Sequence, residues 1–168
     1  EEIKANYPWA TTGRKRGTQH RVITSLDLDS VKMEAHNRHL QEKYRLVEEN
    51  EVRFEEIECE DAEYVFVAYG SSARIAQKSV QLARAEGLKV GLLRPITLFP
   101  FPTKAIQNLI DRGAKGFLAV ELSCGQMIED VKLAVNGRVK AEHFGRVGGI
   151  IHTPEEVLEA MKKQIIGE

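Results

Sequence analysis

Glu121, Ser123 and Cys124 stand close together behind the apolar run Phe117 to Leu122, and bring a carboxylate, a hydroxyl and a thiol to one strand end. A cysteine nucleophile needs a base beside it, and His143 and His152 are the histidines in this half of the chain. No spacing brings either ring to the thiol, so Cys124 reads as a small packing residue and Glu121 as a carboxylate without a legible partner. Gly70, Ser71, Ser72 and Ala73 open a helix behind another apolar run. Free N–H groups and the positive helix end converge at such a point, which makes a generic anion site. The motif lacks both G-x-G-x-x-G and the phosphate loop with its lysine, so a structural cap formed by the serine hydroxyls is the plainer reading. Arg94, at the end of the next strand, faces the same crevice if the sheet is parallel. His36 and His39 share a helix face, but no carboxylate or cysteine completes a metal set around them.

The elements that must position these groups are legible. Tyr64 to Tyr69 is short, almost wholly apolar and rich in β-branched and aromatic residues, the pattern of a strand buried on both faces. Ile75, Ser79, Leu82 and Ala83 then recur at helical spacing, and Gly87 ends that helix. Lys89 to Leu93 is the next strand, closed by Pro95, Pro100 and Pro102. Thr103 to Arg112 is a helix with Ile106, Leu109 and Ile110 inward. Phe117 to Leu122 is a third buried strand, Gly125 to Asn136 a helix, and Val139 to Phe144 a last strand. Pro154 starts a final helix that buries Val157, Leu158, Met161 and Ile165. Helices between parallel strands belong on both faces of the sheet, so the fold class is three-layer α/β/α.

Before residue 52 the pattern differs. Residues 1–28 are irregular, with a small basic run at Arg14, Lys15 and Arg16 that reads as a solvated loop, and His20 near it has no readable partner. A helix follows, capped by Asp29 or Ser30, with Glu34 placed for a capping box. Met33, Asn37, Leu40, Tyr44 and Val47 give it one narrow apolar stripe. Such a helix is marginal alone, so Leu40, Tyr44 and Val47 are expected to pack on the α/β part, with the segment before Ser25 mobile or held by another chain. Val52 to Glu58 alternates apolar and charged residues, as a half-exposed edge strand does. The expected division is therefore residues 1–51, a linking segment with a helix, and residues 52–168, an α/β domain.

Composition narrows the function classes. A net charge of −1 gives no basic field for nucleic acid, and no apolar stretch approaches the ~20 residues that span a bilayer. The chain opens Glu-Glu-Ile, without a signal peptide, and reads as a piece of a longer polypeptide. Two cysteines, Cys59 and Cys124, fit reduced cytosolic thiols, with neither a disulfide framework nor a cluster site.

The strings VAYGSSARIAQKSVQLARAEGLKVGLLRPITLFPFP, VELSCGQMIEDVKLAVNGRV and FGRVGGIIHTPEEV closely resemble the C-terminal part of the alpha subunit of 2-oxoacid:ferredoxin oxidoreductases. PWATTG, ITSLDLD and LQEKYRLVEENEVRFEE resemble the 2-oxoisovalerate branch in particular, so the resemblance covers nearly the whole chain. It implies a domain like the transketolase C-terminal domain: a five-stranded mixed, mostly parallel sheet with an antiparallel first strand, Val52 to Glu58, and the Tyr64 strand at its centre. It also implies a complex that oxidatively decarboxylates 2-oxoacids with coenzyme A, yielding acyl-CoA and reduced ferredoxin. The cofactors of that complex are thiamine diphosphate, magnesium and iron–sulfur clusters, and its partners are the remaining alpha-subunit domain, the beta and other subunits, and ferredoxin. No cofactor belongs to this segment: clusters need about four closely spaced thiolates, and no Asp/Asn-rich loop follows a strand to hold magnesium. The segment carries no catalytic residue, and its expected role is structure and assembly. The alternative is a ligand module that holds an anionic group, such as a coenzyme A phosphate, at Gly70 to Ala73. Gln126, Met127, Glu129 and Asp130 open a helix after a Gly-containing turn and are the expected association surface.

Overall fold

The computed structural model describes residues 24–167, together with Gly13, Arg16, Gly17 and Gln19. The expectations for Lys4 to His20 and for most of the basic run therefore fall outside the described residues. Two compact units divide between Lys43 and Tyr44, inside helix α1, Ser30–Asn50. In the first unit, Asp29 caps the helix: its Oδ1 accepts from the N–H groups of Val31 at 3.1 Å and Lys32 at 3.2 Å. Glu34 pairs with Arg38 instead of closing a capping box. No residue of α1 is buried: of the three side chains expected to pack, Leu40 and Val47 are half-buried and Tyr44 is exposed. Tyr44, in the second unit, sets its ring edge-on to Phe99 at 6.1 Å.

The second unit is a five-stranded sheet in the order β1-β3-β2-β4-β5. β1, Phe54–Ile57, pairs antiparallel with β3, Val90–Pro95. The other ladders, β2 (Tyr64–Ala68) with β3, β2 with β4 (Gly116–Glu121) and β4 with β5 (Lys140–Gly145), are parallel. β2 thus lies at the centre, and its continuous apolarity has a simple cause. Val65 and Val67 enter one core, and Phe66 and Ala68 enter the other, because successive side chains point to opposite faces. The first core is closed by α3, Thr103–Asp111, and α4, Met127–Val135; the second by α2, Gly70–Ala85, and α5, Pro154–Met161. The helices make three layers with the sheet. Phe66 and Phe117 are fully buried, and each such ring is worth about 1.5–3 kcal/mol of transfer free energy.

Local chemistry fixes the helix ends. Behind α2, Gly87 takes φ +85°; its N–H reaches the carbonyl of Arg84 and that of Leu88 reaches Ala83, both at 3.0 Å, which is the Schellman arrangement. At α5, Thr153 Oγ1 accepts from Glu156 N at 3.2 Å while Glu156 returns a bond to Thr153 N at 3.0 Å, a closed capping box with Pro154 in the first turn. The chain ends in a wider π turn, Lys162–Ile166, where Ile165 packs half-buried on the second core.

Candidate functional site

Because four strands run parallel, the loops behind β2, β3, β4 and β5 share one edge of the sheet, where ligands of open α/β folds bind. The first candidate lies there. Gly70, Ser71, Ala73, Arg74, Gln77 and Arg94 line an open cleft of about 550 Å³ with Glu55 and Ile57. Arg94 does face the crevice, but its Nη1 lies 2.7 Å from Glu55 Oε2. An anion entering here would compete with a resident carboxylate. The serine cap is corrected: α2 begins at Gly70, its N-cap position is Tyr69, and no side chain caps it. Ser71 and Ser72 therefore sit inside the first turn, past the position from which a hydroxyl reaches back to the free N–H groups. Ser72 is buried.

The second candidate lies at the end of β4. Glu121 is 1% exposed. Its Oε2 accepts from Met127 N at 2.9 Å, Gln126 N at 3.1 Å and Ser123 Oγ at 3.1 Å, and its Oε1 accepts from Ile128 N at 3.0 Å. A buried carboxylate thus satisfies three free N–H groups of α4 and lies against the positive end of that helix. Glu121, a carboxylate without a legible partner in the sequence, has four hydrogen-bond donors in the fold. One signal was available. Gln126, at the N-cap position, is a poor capping residue and makes no side-chain cap bond, and an acidic residue stands a few positions upstream to replace it.

Two histidines surround this carboxylate. His152 is buried, and its Nε2 lies 2.9 Å from the main-chain oxygen of Glu121. A carbonyl only accepts, so Nε2 carries the hydrogen, and the buried Nδ1 is left without a partner. Burial pushes this imidazole below its ordinary pKa, against the pull of the carbonyl, with the nearby Arg146 charge adding to the depression. His143 Nε2 stands 3.8 Å from Glu121 Oε1, beyond hydrogen-bond reach. Arg146 pairs with Glu156 and lies 6.0 Å from the centre of the Phe144 ring. Partial burial first, then the charges of Glu121 and Glu129, raise the Asp130 carboxyl.

Cys124 is exposed, so its reading as a packing residue is corrected: the turn behind β4 carries it outward. No hydrogen bond joins it to either histidine among the described residues. Cys59 is the packed thiol. It lies 3.4 Å from the carbonyls of Ile57 and Leu92, and burial pushes it from 9.0 up to about 11. Met127 is corrected as well. It is 3% exposed and belongs to the first core, since helical spacing places it on the same inward face as Val131. Gln126, Glu129 and Asp130 are exposed on the outer side. His36 and His39 are exposed on α1, and among the described residues no three His, Cys, Asp or Glu side chains converge to hold a metal ion.

Residues 62–157 match the family model of the pyruvate:ferredoxin oxidoreductase core domain II. The ketoisovalerate oxidoreductase subunit VorB of Methanothermobacter marburgensis is 48% identical over 167 residues, 99% of this chain and 46% of that protein. The 2-oxoglutarate synthase subunit KorA of Methanothermobacter thermautotrophicus is 35% identical over 104 residues, 62% of this chain and 27% of KorA. The chain spans about half the length of the first of these curated relatives. Among solved structures, the 2-oxoglutarate:ferredoxin oxidoreductase from Magnetococcus marinus superposes with a TM-score of 0.68 at 22% identity, over 82% of this chain and 24% of that one. A split-gene transketolase superposes at 0.57 and 16% identity, over 68% of this chain and 41% of that one. The five-stranded mixed sheet expected from the sequence is the fold these proteins share.

Proposed function

This chain belongs to the pyruvate:ferredoxin oxidoreductase core domain II family, and from that membership we propose that it is a non-catalytic domain of a 2-oxoacid:ferredoxin oxidoreductase, with 2-oxoisovalerate as the 2-oxoacid. The observation that carries this reading is the 48% identity over 99% of the chain to a ketoisovalerate oxidoreductase subunit. The complete enzyme would convert a 2-oxoacid and coenzyme A to acyl-CoA and carbon dioxide, and pass two electrons to ferredoxin. It would work in the cytoplasm; among the described residues no helix is long and apolar enough to cross a membrane. Residues 1–51 would link this domain, residues 52–168, to the rest of the polypeptide.

The residues present do not fit the cofactors of such an enzyme. A cluster needs about four thiolates; this chain has two, one buried against carbonyls and one alone on a turn. The carboxylate at the sheet edge, Glu121, is buried and committed to four donors, three on Oε2 and one on Oε1, which makes it an anchor for the start of α4 and a poor base for a substrate. On this reading thiamine diphosphate, magnesium and the clusters would be held by other parts of the complex. The role of this domain is to hold those parts in place. The alternative, an anion-binding module at Gly70 to Ala73 and Arg94, is weakened by the Glu55 carboxylate in the same cleft.

Two measurements test the proposal. The complete protein, purified with its partner subunits, should reduce ferredoxin or a viologen dye with 2-oxoisovalerate and coenzyme A; activity only with another 2-oxoacid overturns the substrate. Calorimetric titration of this chain with thiamine diphosphate and magnesium should give no binding heat. A stoichiometric event in the micromolar range would place cofactor chemistry in this domain after all.

A further inference from the structure

The two edges of the sheet differ in kind. At the amino-terminal edge, charges meet in pairs: Arg84 with Asp61 at 2.7 Å, Arg138 with Asp111 and Lys162 with Glu86 at 2.6 Å, and Lys89 and Lys115 both with Glu63. That surface suits water. The carboxyl-terminal edge does not. Ile96 and Phe99 behind β3, Leu122 behind β4, and Val147, Ile150 and Ile151 behind β5 are 44–64% exposed when Leu98 is counted with them. Phe54 joins them, because antiparallel pairing places it opposite Pro95 at the end of β3. Of the other exposed large apolar side chains among the described residues, Leu26, Leu28, Val31, Tyr44 and Leu46 lie on or before α1, Tyr69 follows β2 at this same edge, and Leu133 stands alone on the outer face of α4. Apolar side chains scattered singly over a surface need no explanation, but their collection on one edge marks an interaction surface.

We propose that this apolar carboxyl edge is the surface against which the remainder of the oxidoreductase polypeptide docks, through an apolar, mostly uncharged face of its own. This rests on reading the chain as one domain of a longer enzyme. The occupant is argued from length and charge. Curated relatives extend to more than twice the span matched here, since this chain covers 46% of VorB, so a comparable mass of protein has to contact this domain somewhere. The charged edge is already internally paired. On the apolar edge Arg94 and Arg146 are neutralised by Glu55 and Glu156, and Arg74 of the cleft is outnumbered by the acidic Glu129 and Asp130 at the start of α4, so the rim carries both signs and no cluster of positive charge to attract a polyanion. Glu121 then has a structural purpose: it pins the turn that presents Leu122, and sets the exposed start of α4, with Gln126 and Asp130, beside the rim.

Hydroxyl-radical footprinting of the complete protein tests this without using turnover. Leu133, on the outer face of α4 and 77% exposed here, is the internal reference. In this structure Phe99 and Ile150 are nearly as open, at 64% and 58%. In the complete protein they should be modified at least about fivefold less than Leu133 after correction for intrinsic reactivity, as residues at the centre of an interface exclude water. Ile150→Lys should raise modification of Phe99 at least about threefold, because a charge in an apolar interface weakens docking, while Lys115→Ala at the opposite edge leaves it unchanged. Phe99 and Ile150 as reactive as Leu133 would overturn the proposal. So would protection that vanishes on dilution, which would mean that a second copy covers the edge. A protected edge in a protein that turns over no 2-oxoacid sinks the catalytic assignment and leaves the docking surface standing.

Discussion

Replacing Glu121 by Gln changes one oxygen to nitrogen at a fully buried position, and the geometry sets the size of the effect. Oε2 accepts three hydrogen bonds, from Gln126 N, Met127 N and Ser123 Oγ, and Oε1 accepts one, from Ile128 N. A carboxamide has a single acceptor oxygen. Its best orientation keeps the three-bond side and turns the NH2 toward the N–H of Ile128, donor against donor. A buried donor left unsatisfied costs about 1–3 kcal/mol, and the surviving bonds lose their charge assistance. Removing the negative charge from the helix start costs about 0.3–1 kcal/mol more. We expect a loss of about 3 kcal/mol in all, read as a lowered urea midpoint with unchanged slope. It should also appear as a fall of roughly 6–12 °C in melting temperature. Amide exchange localises it: Met127 and Ile128 should exchange faster, while amides of α2 keep their relative protection. A change below about 0.5 kcal/mol, the ordinary scale of a surface substitution, would refute the assignment of Glu121 as the anchor of α4.

Three further outcomes follow from the thiols and from the tightest backbone approach. Thiol titration of the native protein should register Cys124 rapidly and Cys59 only on unfolding, since one is exposed and the other buried and held protonated to about pH 11; two fast thiols contradict this packing. The raised Cys59 value also gives stability a pH dependence with a definite sign. The unfolded chain releases that proton near the ordinary 9.0 while the folded one keeps it to about 11, so this contribution is complete below pH 9 and is lost as pH rises toward 11. Urea midpoints that fall across this window in the native protein should fall less in Cys59→Ala, and identical declines would exclude the thiol as the cause. Gly145→Ala would drive a methyl into the Ser123 carbonyl and the His143 ring; a backbone carbonyl cannot turn aside, so a loss of about 1–3 kcal/mol or more is expected, and circular-dichroism melts at the native midpoint would count against the close contact.

The sequence by itself determined every element that rests on neighbours in the chain. The apolar run at Tyr64 needs two covered faces wherever it lies, the 3.6-residue spacing of Ile106 and Leu109 orients α3 without knowledge of its partner, and Gly87 stops α2 because its own backbone adopts a conformation other residues resist. Only the tertiary structure decided what depends on distant segments meeting. Parallel pairing of β2, β4 and β5 brings His143 and His152 to Glu121 across twenty or more residues, and no local pattern encodes that approach. Helical periodicity fixes the side on which Met127 falls, but whether that side is core or interface depends on what packs there; the sheet does, so Met127 is core. Cys124 goes the other way, turned outward because the Glu121 carboxylate gathers the backbone of the turn beneath it. Arg94 is the intermediate case. Its position at a strand end was legible, and its charge state in the crevice was not, because Glu55 reaches it only through an antiparallel neighbour strand.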